Sequence, residues 1–198
     1  TGASNSQARQ IVAGAPADVF CSADEAQLDV VRRAGKIVPG TPIALALNRL
    51  VVIVPKARAR RFKAASALLD VSVKRIAVGD PSAVPVGVYT KAYLERIGLW
   101  SNLESKLVPT LSARAAMAAV EGGNADAGFV YATDAAIATQ AAVAFNVPSD
   151  QAPPIVYPAA VTTGGENREG GRRFLAFLQS DKGRAILSAG GFQLPDRR

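Results

Sequence analysis

Three segments of the sequence place small or polar residues immediately before a predicted helix. They are residues 3–5 (ASN), 85–87 (PVG) and 111–113 (LSA). The first backbone N–H groups of a helix have no partner within the helix, and the helix dipole adds partial positive charge there. Helix starts of this kind can therefore bind an anion. Polar helix caps occur in most α/β proteins, so each start taken alone indicates only an ordinary helix end.

Other kinds of chemistry are restricted by the residues that the sequence lacks. The chain has no histidine and a single cysteine, Cys21, which excludes a Ser-His-Asp triad, a Cys-His pair, a His-ligated zinc site and an internal disulfide. Asp80 precedes Pro81, as is typical of a turn. Carboxylates are available, but their spacing matches no acid/base pair or metal set: Asp18, Asp24, Asp80, Asp126 and Asp134. We therefore expect neither an enzyme nor a cofactor.

The composition indicates an ordered globular protein with a positive charge. Hydrophobic residues make up 49% of the chain and charged residues 20%, and the net charge is +7 with a pI near 9.9. The basic residues are scattered apart from one cluster without interleaved aromatic residues, formed by Arg58, Arg60, Arg61 and Lys63. This pattern favours a solvated basic face over a nucleic-acid interface. Positive charge would also steer a small anion towards the protein.

Short apolar runs alternate with amphipathic stretches, which predicts an α/β fold with mainly parallel sheets. Strands are predicted at residues 18–21, 50–54, 75–78, 127–131 and 156–161. Helices are predicted at residues 6–13, 26–34, 87–97, 113–122, 170–180 and 181–189. The longest apolar runs, such as residues 50–54, are far shorter than the roughly 20 residues that span a bilayer. No N-terminal signal region is recognisable.

A series of motifs along nearly the whole chain resembles the periplasmic molybdate-binding proteins of ABC transporters, the ModA family. The motifs occur in the family's order, which makes the match more specific than any single pattern. They are residues 3–11 (ASNSQARQI), 14–20 (GAPADVF), 22–24 (SAD), 50–55 (LVVIVP), 77–81 (AVGDP), 84–89 (VPVGVY), 128–135 (GFVYATDA) and 156–159 (VYPA).

The resemblance implies a two-lobed binding-protein fold of type II with a hinge, and a set of four anion-binding residues. In that family an oxyanion lies between the lobes and is held by neutral hydrogen-bond donors. Carried over to this sequence, Ser4 supplies its hydroxyl and its backbone N–H, and Tyr131 its phenolic O–H. Val86 and Ala113 supply backbone N–H groups at helix starts. The ligand implied is molybdate or tungstate, two ions that the sequence does not separate.

The lobes are assigned from the segments at which the chain crosses between them. The first lobe is predicted to comprise residues 1–48 and 161–198, and the second residues 49–160, with hinge strands near residues 49–52 and 158–161. In the family, a strand, a loop with a further serine ligand and a helix precede the segment equivalent to Thr1. Without that unit, we expect the first lobe to be incomplete at its N-terminus, to have an exposed sheet edge and to bind more weakly.

Two alternatives to a solute-binding protein remain at this stage. One is the effector-binding domain of a transcription regulator that senses a small anion, because such domains share the architecture; the other is an enzyme acting on an oxyanion or a sugar phosphate. The resemblance favours a periplasmic, monomeric protein whose partners are the oxyanion and a membrane permease. No nucleic-acid partner is expected.

Overall fold

The computed structural model describes residues 2–196, apart from the side chains of Arg60 and Arg61 in the basic cluster. The chain divides into two compact units. Unit 1 comprises Thr1–Asn48 and Ile155–Arg198, and unit 2 comprises Arg49–Pro154. Residues 155–160, which the sequence analysis placed in the second lobe, belong to unit 1, because they form a strand that pairs with two strands of that unit.

Eight strands and eight α-helices are described in residues 2–196. The strands are β1 (Val19–Cys21), β2 (Ile43–Asn48), β3 (Leu50–Pro55), β4 (Ile76–Gly79), β5 (Leu107–Thr110), β6 (Ala127–Tyr131), β7 (Ala141–Asn146) and β8 (Ile155–Val161). The helices are α1 (Ser4–Val12), α2 (Glu25–Arg33), α3 (Pro85–Arg96), α4 (Trp100–Leu103), α5 (Ala113–Glu121), α6 (Ala132–Ala136), α7 (Arg168–Gln179) and α8 (Asp181–Ala189). Short 3-10 helices occupy Lys56–Arg61, Ala65–Leu69 and Glu104–Lys106.

The sheets are mixed, so the prediction of mainly parallel sheets was wrong. In unit 1 the order is β1-β8-β2, and β8 is antiparallel to both neighbours. In unit 2 the order is β5-β4-β6-β3-β7. There β4 is parallel to β5 and β6, whereas β3 is antiparallel to β6 and β7. The antiparallel pairs arise at β3 and β8, the strands that directly follow the two division points of the chain.

Unit 1 buries its sheet between helices. One face packs against α1 and α2 through Ala8, Phe20 and Val31, and the other packs against α7 through Val161 and Leu175. The sequence specifies α2 locally: Asp24 accepts a hydrogen bond of 2.8 Å from the backbone N–H of Gln27 at the N-terminus, and two arginines lie in the last turn. Both features stabilise a helix, the first by capping and the second through the helix dipole.

Unit 2 has the same layered arrangement around its five-stranded sheet. Strand β6 is buried along its whole length, and α5 covers one face through contacts of Ala116 and Val120 with the strands. On α3, Tyr93 packs edge to face against Phe129 of β6, with 6.3 Å between the ring centroids. Helix α3 starts after β4 and helix α5 starts after β5, at the edge of the sheet where these parallel strands end. No helix within residues 2–196 combines the length and apolar character required to cross a bilayer.

Candidate functional site

Three of the four predicted anion-binding residues lie at one edge of the unit 2 sheet. Strands β5, β4 and β6 are adjacent and parallel, so their carboxyl ends meet there. Val86 follows β4 in the first turn of α3, Ala113 follows β5 as the first residue of α5, and Tyr131 is the last residue of β6. Open α/β sheets bind ligands outside the carboxyl ends of their strands. The topology therefore places these three residues where a ligand would be expected.

The start of α3 is pressed against the end of β4. Pro85 is the first helical residue, a position that suits proline because no intrahelical bond is lost. The connecting turn is held by Asp80, whose carboxylate accepts hydrogen bonds from the backbone N–H of Ser82 at 2.8 Å and from its hydroxyl at 2.6 Å. These bonds, first that of the hydroxyl, lower the pKa of Asp80. Asp80 is thus a turn residue, as predicted.

The start of α5 is fixed by two hydroxyl groups. Ser112 is the N-cap, and its side chain accepts a hydrogen bond of 3.1 Å from the backbone N–H of Ala115. Thr110, at the end of β5, donates from its hydroxyl to the carbonyl of Val78 at 3.0 Å and to that of Ser112 at 3.1 Å. The cap leaves the N–H of Ala113, the first helical residue, without an intrahelical acceptor. That N–H is therefore suited to an external acceptor.

Ser4, the fourth predicted residue, lies in unit 1 as the first residue of α1. Its Oγ accepts a hydrogen bond of 2.9 Å from the backbone N–H of Ala23, which follows strand β1. Because the oxygen is an acceptor in this bond, the hydroxyl proton can still be donated to a ligand. The bond ties the start of α1 to the turn between β1 and α2, and this gives the Ser4 side chain a defined position.

The four predicted residues share two properties. Each is at most 9% exposed, and none carries a formal charge: Ser4, Val86, Ala113 and Tyr131. A buried anion requires hydrogen bonds to replace its hydration. Donors fixed at helix starts and strand ends supply such bonds with little reordering. Backbone N–H groups and hydroxyls are hydrogen-bond donors, so this residue set suits the binding of an anion.

The five aspartates of the enzyme hypothesis have separate structural partners. Asp126 illustrates this, because it accepts hydrogen bonds from the backbones of Lys74 and Arg75 and from the guanidinium of Arg58, all within 3.1 Å. Asp18 accepts a hydrogen bond of 2.7 Å from the backbone of Asn167. Within residues 2–196, no group of three or more His, Cys, Asp or Glu side chains is placed to hold a metal ion.

One charged pair beside the predicted residues was not anticipated from the sequence. Arg114 directly follows Ala113, and its Nε lies 3.8 Å from a carboxylate oxygen of Asp134, three residues after Tyr131. Asp134 lies within the family motif at residues 128–135, and Arg114 directly follows the helix start at residues 111–113. Their pairing could not be read from spacing, because it joins two elements that are 20 positions apart.

Comparisons with known proteins identify the class of protein to which this chain is similar. The sequence model of the family described as "Bacterial extracellular solute-binding protein" matches residues 1–193. The molybdate-binding protein ModA of Escherichia coli is 37% identical over 195 residues, covering 96% of this chain and 76% of the relative. Among solved structures, the periplasmic molybdate-binding protein of Azotobacter vinelandii has a TM-score of 0.86 at 28% identity, covering 98% of this chain and 86% of that one.

The chain belongs to the family of bacterial extracellular solute-binding proteins and, within it, to the ModA molybdate-binding proteins. The resemblance predicted from the motifs is therefore confirmed, as is the type II binding-protein fold. The fold is shared more widely: the sulfate-binding protein SubI of Mycobacterium tuberculosis has a TM-score of 0.83 at 18% identity, over 98% of this chain and 74% of that one. Membership of this family makes the chain a solute-binding protein and not an enzyme, and the regulator hypothesis gains no support.

Proposed function

We propose that the chain is the solute-binding component of an ABC importer and that it captures molybdate or tungstate. The observation that carries the proposal is the placement of Val86, Ala113 and Tyr131 at the carboxyl ends of three adjacent parallel strands. Val86 and Tyr131 lie in motifs shared with the ModA family, to which the chain belongs. We also propose Ser4 of unit 1 as a donor, through its hydroxyl and its backbone N–H.

The proposed donors suit a tetrahedral dianion. Hydrogen bonds to a charged acceptor are about twice as strong as those between neutral groups, so the five proposed donor groups can offset much of the lost hydration. Backbone N–H groups at the starts of α3 and α5 also act together with the helix dipoles. Because the strands hold these donors in place, we expect their spacing to suit an anion of one size. Size then discriminates the larger molybdate and tungstate from sulfate, which carries the same charge.

The transport context follows from the family and belongs to the same proposal. A protein of this kind delivers its ligand to a membrane permease, so we propose a permease of an ABC importer as the protein partner. Its location would be the periplasm, where the relative from Azotobacter vinelandii is placed by its description. We further propose that it acts as a monomer. The net charge of +7 would assist the capture of an anion from solution.

Calorimetric titration with molybdate, tungstate, sulfate and phosphate tests the proposal directly. Molybdate and tungstate should bind with similar affinity, and sulfate and phosphate at least about tenfold more weakly, a difference of roughly 1.4 kcal/mol. Sulfate is the critical comparison, because a sulfate-binding protein shares the fold. Binding of sulfate as tightly as molybdate would overturn the assignment of the ligand.

A further inference from the structure

An ion pair of unequal exposure adjoins the neutral donors of unit 2. The Nε of Arg114 and a carboxylate oxygen of Asp134 are 3.8 Å apart. The Arg114 side chain is 74% exposed, whereas that of Asp134 is only 14% exposed. Arg114 lies next to Ala113 in the first turn of α5, and Asp134 lies in α6, which starts directly after Tyr131. The pair therefore connects the segments that carry two of the proposed donors.

The position of Asp134 follows from the start of α6. Tyr131 is the N-cap of this helix and Asp134 is its third residue, the spacing at which an acidic side chain reaches back to the N-cap backbone. The backbone of Tyr131 does form a hydrogen bond with the Asp134 carboxylate. Burial raises the pKa of Asp134, while the charge of Arg114 and this hydrogen bond lower it. The carboxylate is thus a mostly buried acid beside Tyr131.

A buried carboxylate in this position has an electrostatic consequence for the proposed ligand. The ligand proposed to bind through Tyr131 and Ala113 would share this edge of the sheet with the Asp134 carboxylate, which lies three residues after Tyr131 and pairs with the residue that follows Ala113. Charges interact over distances up to the Debye length, about 10 Å at 0.1 M salt. Like charges repel, and water screens partly buried charges less than exposed ones. Without compensation, Asp134 would therefore oppose oxyanion binding.

We propose that Arg114 is a positioning residue that holds and neutralises the Asp134 carboxylate, so that a doubly charged oxyanion can bind beside it. The inference rests on the proposed function, because it assumes a dianion near Ala113 and Tyr131. Asp134 orders the turn after β6 through its bond to the Tyr131 backbone, and Arg114 cancels its charge. The four proposed donor residues carry no formal charge, and the Arg114–Asp134 pair then adds no net charge beside them.

Three variants separate this role from a merely structural one: Arg114→Gln, Asp134→Asn and the double variant. Molybdate affinity is measured by calorimetry for each and compared with the unaltered chain. Arg114→Gln should weaken binding about tenfold, because it leaves the Asp134 charge uncompensated. The double variant should return to within about threefold of the unaltered chain, because the repelling charge is also removed. Asp134→Asn alone, which keeps the shape of the side chain, should bind no more weakly than the unaltered chain.

Lys91→Gln is the matched control. Lys91 pairs with Glu95 over the same distance, 3.8 Å, in the same unit, and its replacement lowers the net charge by the same amount. It should leave molybdate affinity unchanged. A second control, Arg114→Lys, keeps the positive charge and should bind within about threefold of the unaltered chain. Thermal unfolding of each ligand-free variant verifies that it is folded.

The outcomes distinguish the inference from the function beneath it. If the unaltered chain binds molybdate but the double variant is no better than Arg114→Gln, Arg114 does not act through the Asp134 charge and the inference is wrong. Undiminished binding by Arg114→Gln would overturn it equally, as would weakened binding by Asp134→Asn. If Arg114→Gln does not fold, the result for Asp134→Asn still decides. Failure of the unaltered chain to bind any oxyanion would instead overturn the proposed function.

Discussion

The backbone of Gly79, at the end of β4, lies in direct contact with Gly87 in the first turn of α3. A Cβ added to Gly87 would overlap the carbonyl oxygen of Gly79 and lie 2.5 Å from its carbonyl carbon. A Cβ on Gly79 would in turn lie 2.6 Å from a methyl group of Val86. Two glycines are thus required for the helix to start directly against the strand. This contact fixes the position of the Val86 backbone N–H.

Gly87→Ala should therefore damage both stability and binding. The clash is with backbone atoms, which cannot rotate away as a side chain can, so α3 must move. Overpacking of this kind costs about 1–3 kcal/mol, and we expect a loss in that range in urea unfolding. Displacement of the Val86 N–H should also lower molybdate affinity by roughly tenfold, about 1.4 kcal/mol.

Gly164→Ala is the control for this substitution. An added Cβ at Gly164 meets no atom within 4 Å, and its backbone is not in the left-handed region. Stability and affinity should both remain within error of the unaltered chain. Normal binding by a folded Gly87→Ala variant would show that the start of α3 does not contribute a donor.

Tyr131→Phe tests the phenolic donor. The substitution removes one hydroxyl and almost no volume, and Tyr131 is only 5% exposed. We expect molybdate binding to weaken by roughly 1–3 kcal/mol, since a charged ligand would lose one hydrogen bond. The melting temperature of the ligand-free protein should change little. Calorimetry and thermal unfolding measure the two effects separately.

The matched variant is Tyr93→Phe, which removes a hydroxyl from another buried tyrosine of the same unit. Tyr93 packs against Phe129 from α3 and is 2% exposed, but it lies outside the proposed donor set. Its loss should leave affinity unchanged. Equal affinities for the two variants would mean that Tyr131 is a core residue only.

Most of the elements that position the site could be predicted because they carry strong local signals. The buried strands β3, β4 and β6 are continuous apolar runs, and their predicted bounds differ from the observed ones by one residue at most. Helix α3 begins at a proline and α5 after a serine cap, each within two residues of the predicted start. Strands that are buried on both faces can be recognised in a sequence because nearly all their residues are apolar.

The strands that escaped prediction are all edge strands. They are β2, β5 and β7, which lie at the margins of the two sheets. Each is partly exposed, and β5 contains Pro109, which is tolerated at an edge but weakens a strand pattern. The direction of β3 and β8 relative to their neighbours also could not be predicted, because it depends on how the chain returns between units. The ion pair between Arg114 and Asp134 could not be predicted either, because the fold brings together two residues that are far apart in the sequence.

Asp24→Asn should alter the pH dependence of stability. Burial raises the pKa of Asp24 in the folded protein, and hydrogen bonds from Gln27 and Ser22 offset only part of this effect. The folded state therefore holds a proton more tightly than the unfolded chain, so stability rises as the pH falls through the folded-state pKa. Asparagine caps a helix as well as aspartate does. The variant should be more stable at pH 7, and its advantage should shrink towards pH 4 in urea unfolding.

Asp80→Asn should change the pH dependence of stability in the opposite direction to Asp24→Asn. Hydrogen bonds from Ser82 lower the pKa of Asp80, so its ionised form stabilises the fold above the unfolded-state pKa, and this contribution is lost as the pH falls. Replacing it should reduce stability at pH 7 and have less effect at pH 4. If both variants responded to pH in the same direction, the environment of Asp24 would not be the one described.

Ser4→Ala, compared with Ser22→Ala, separates a ligand donor from a structural hydroxyl. Both serines are buried, and each accepts one hydrogen bond from the backbone of the same turn: Ser4 from Ala23 at 2.9 Å and Ser22 from Asp24 at 3.3 Å. Either substitution leaves a backbone N–H, partly buried at Ala23 and buried at Asp24, without its acceptor and should cost about 1–3 kcal/mol of stability. When both variants are fully folded, only Ser4→Ala should also weaken molybdate binding, because the Ser4 hydroxyl is the proposed donor from unit 1. We expect a loss of ~1–3 kcal/mol in binding free energy. Calorimetry at a temperature well below both melting points measures this difference, and equal affinities for the two variants would remove Ser4 from the donor set.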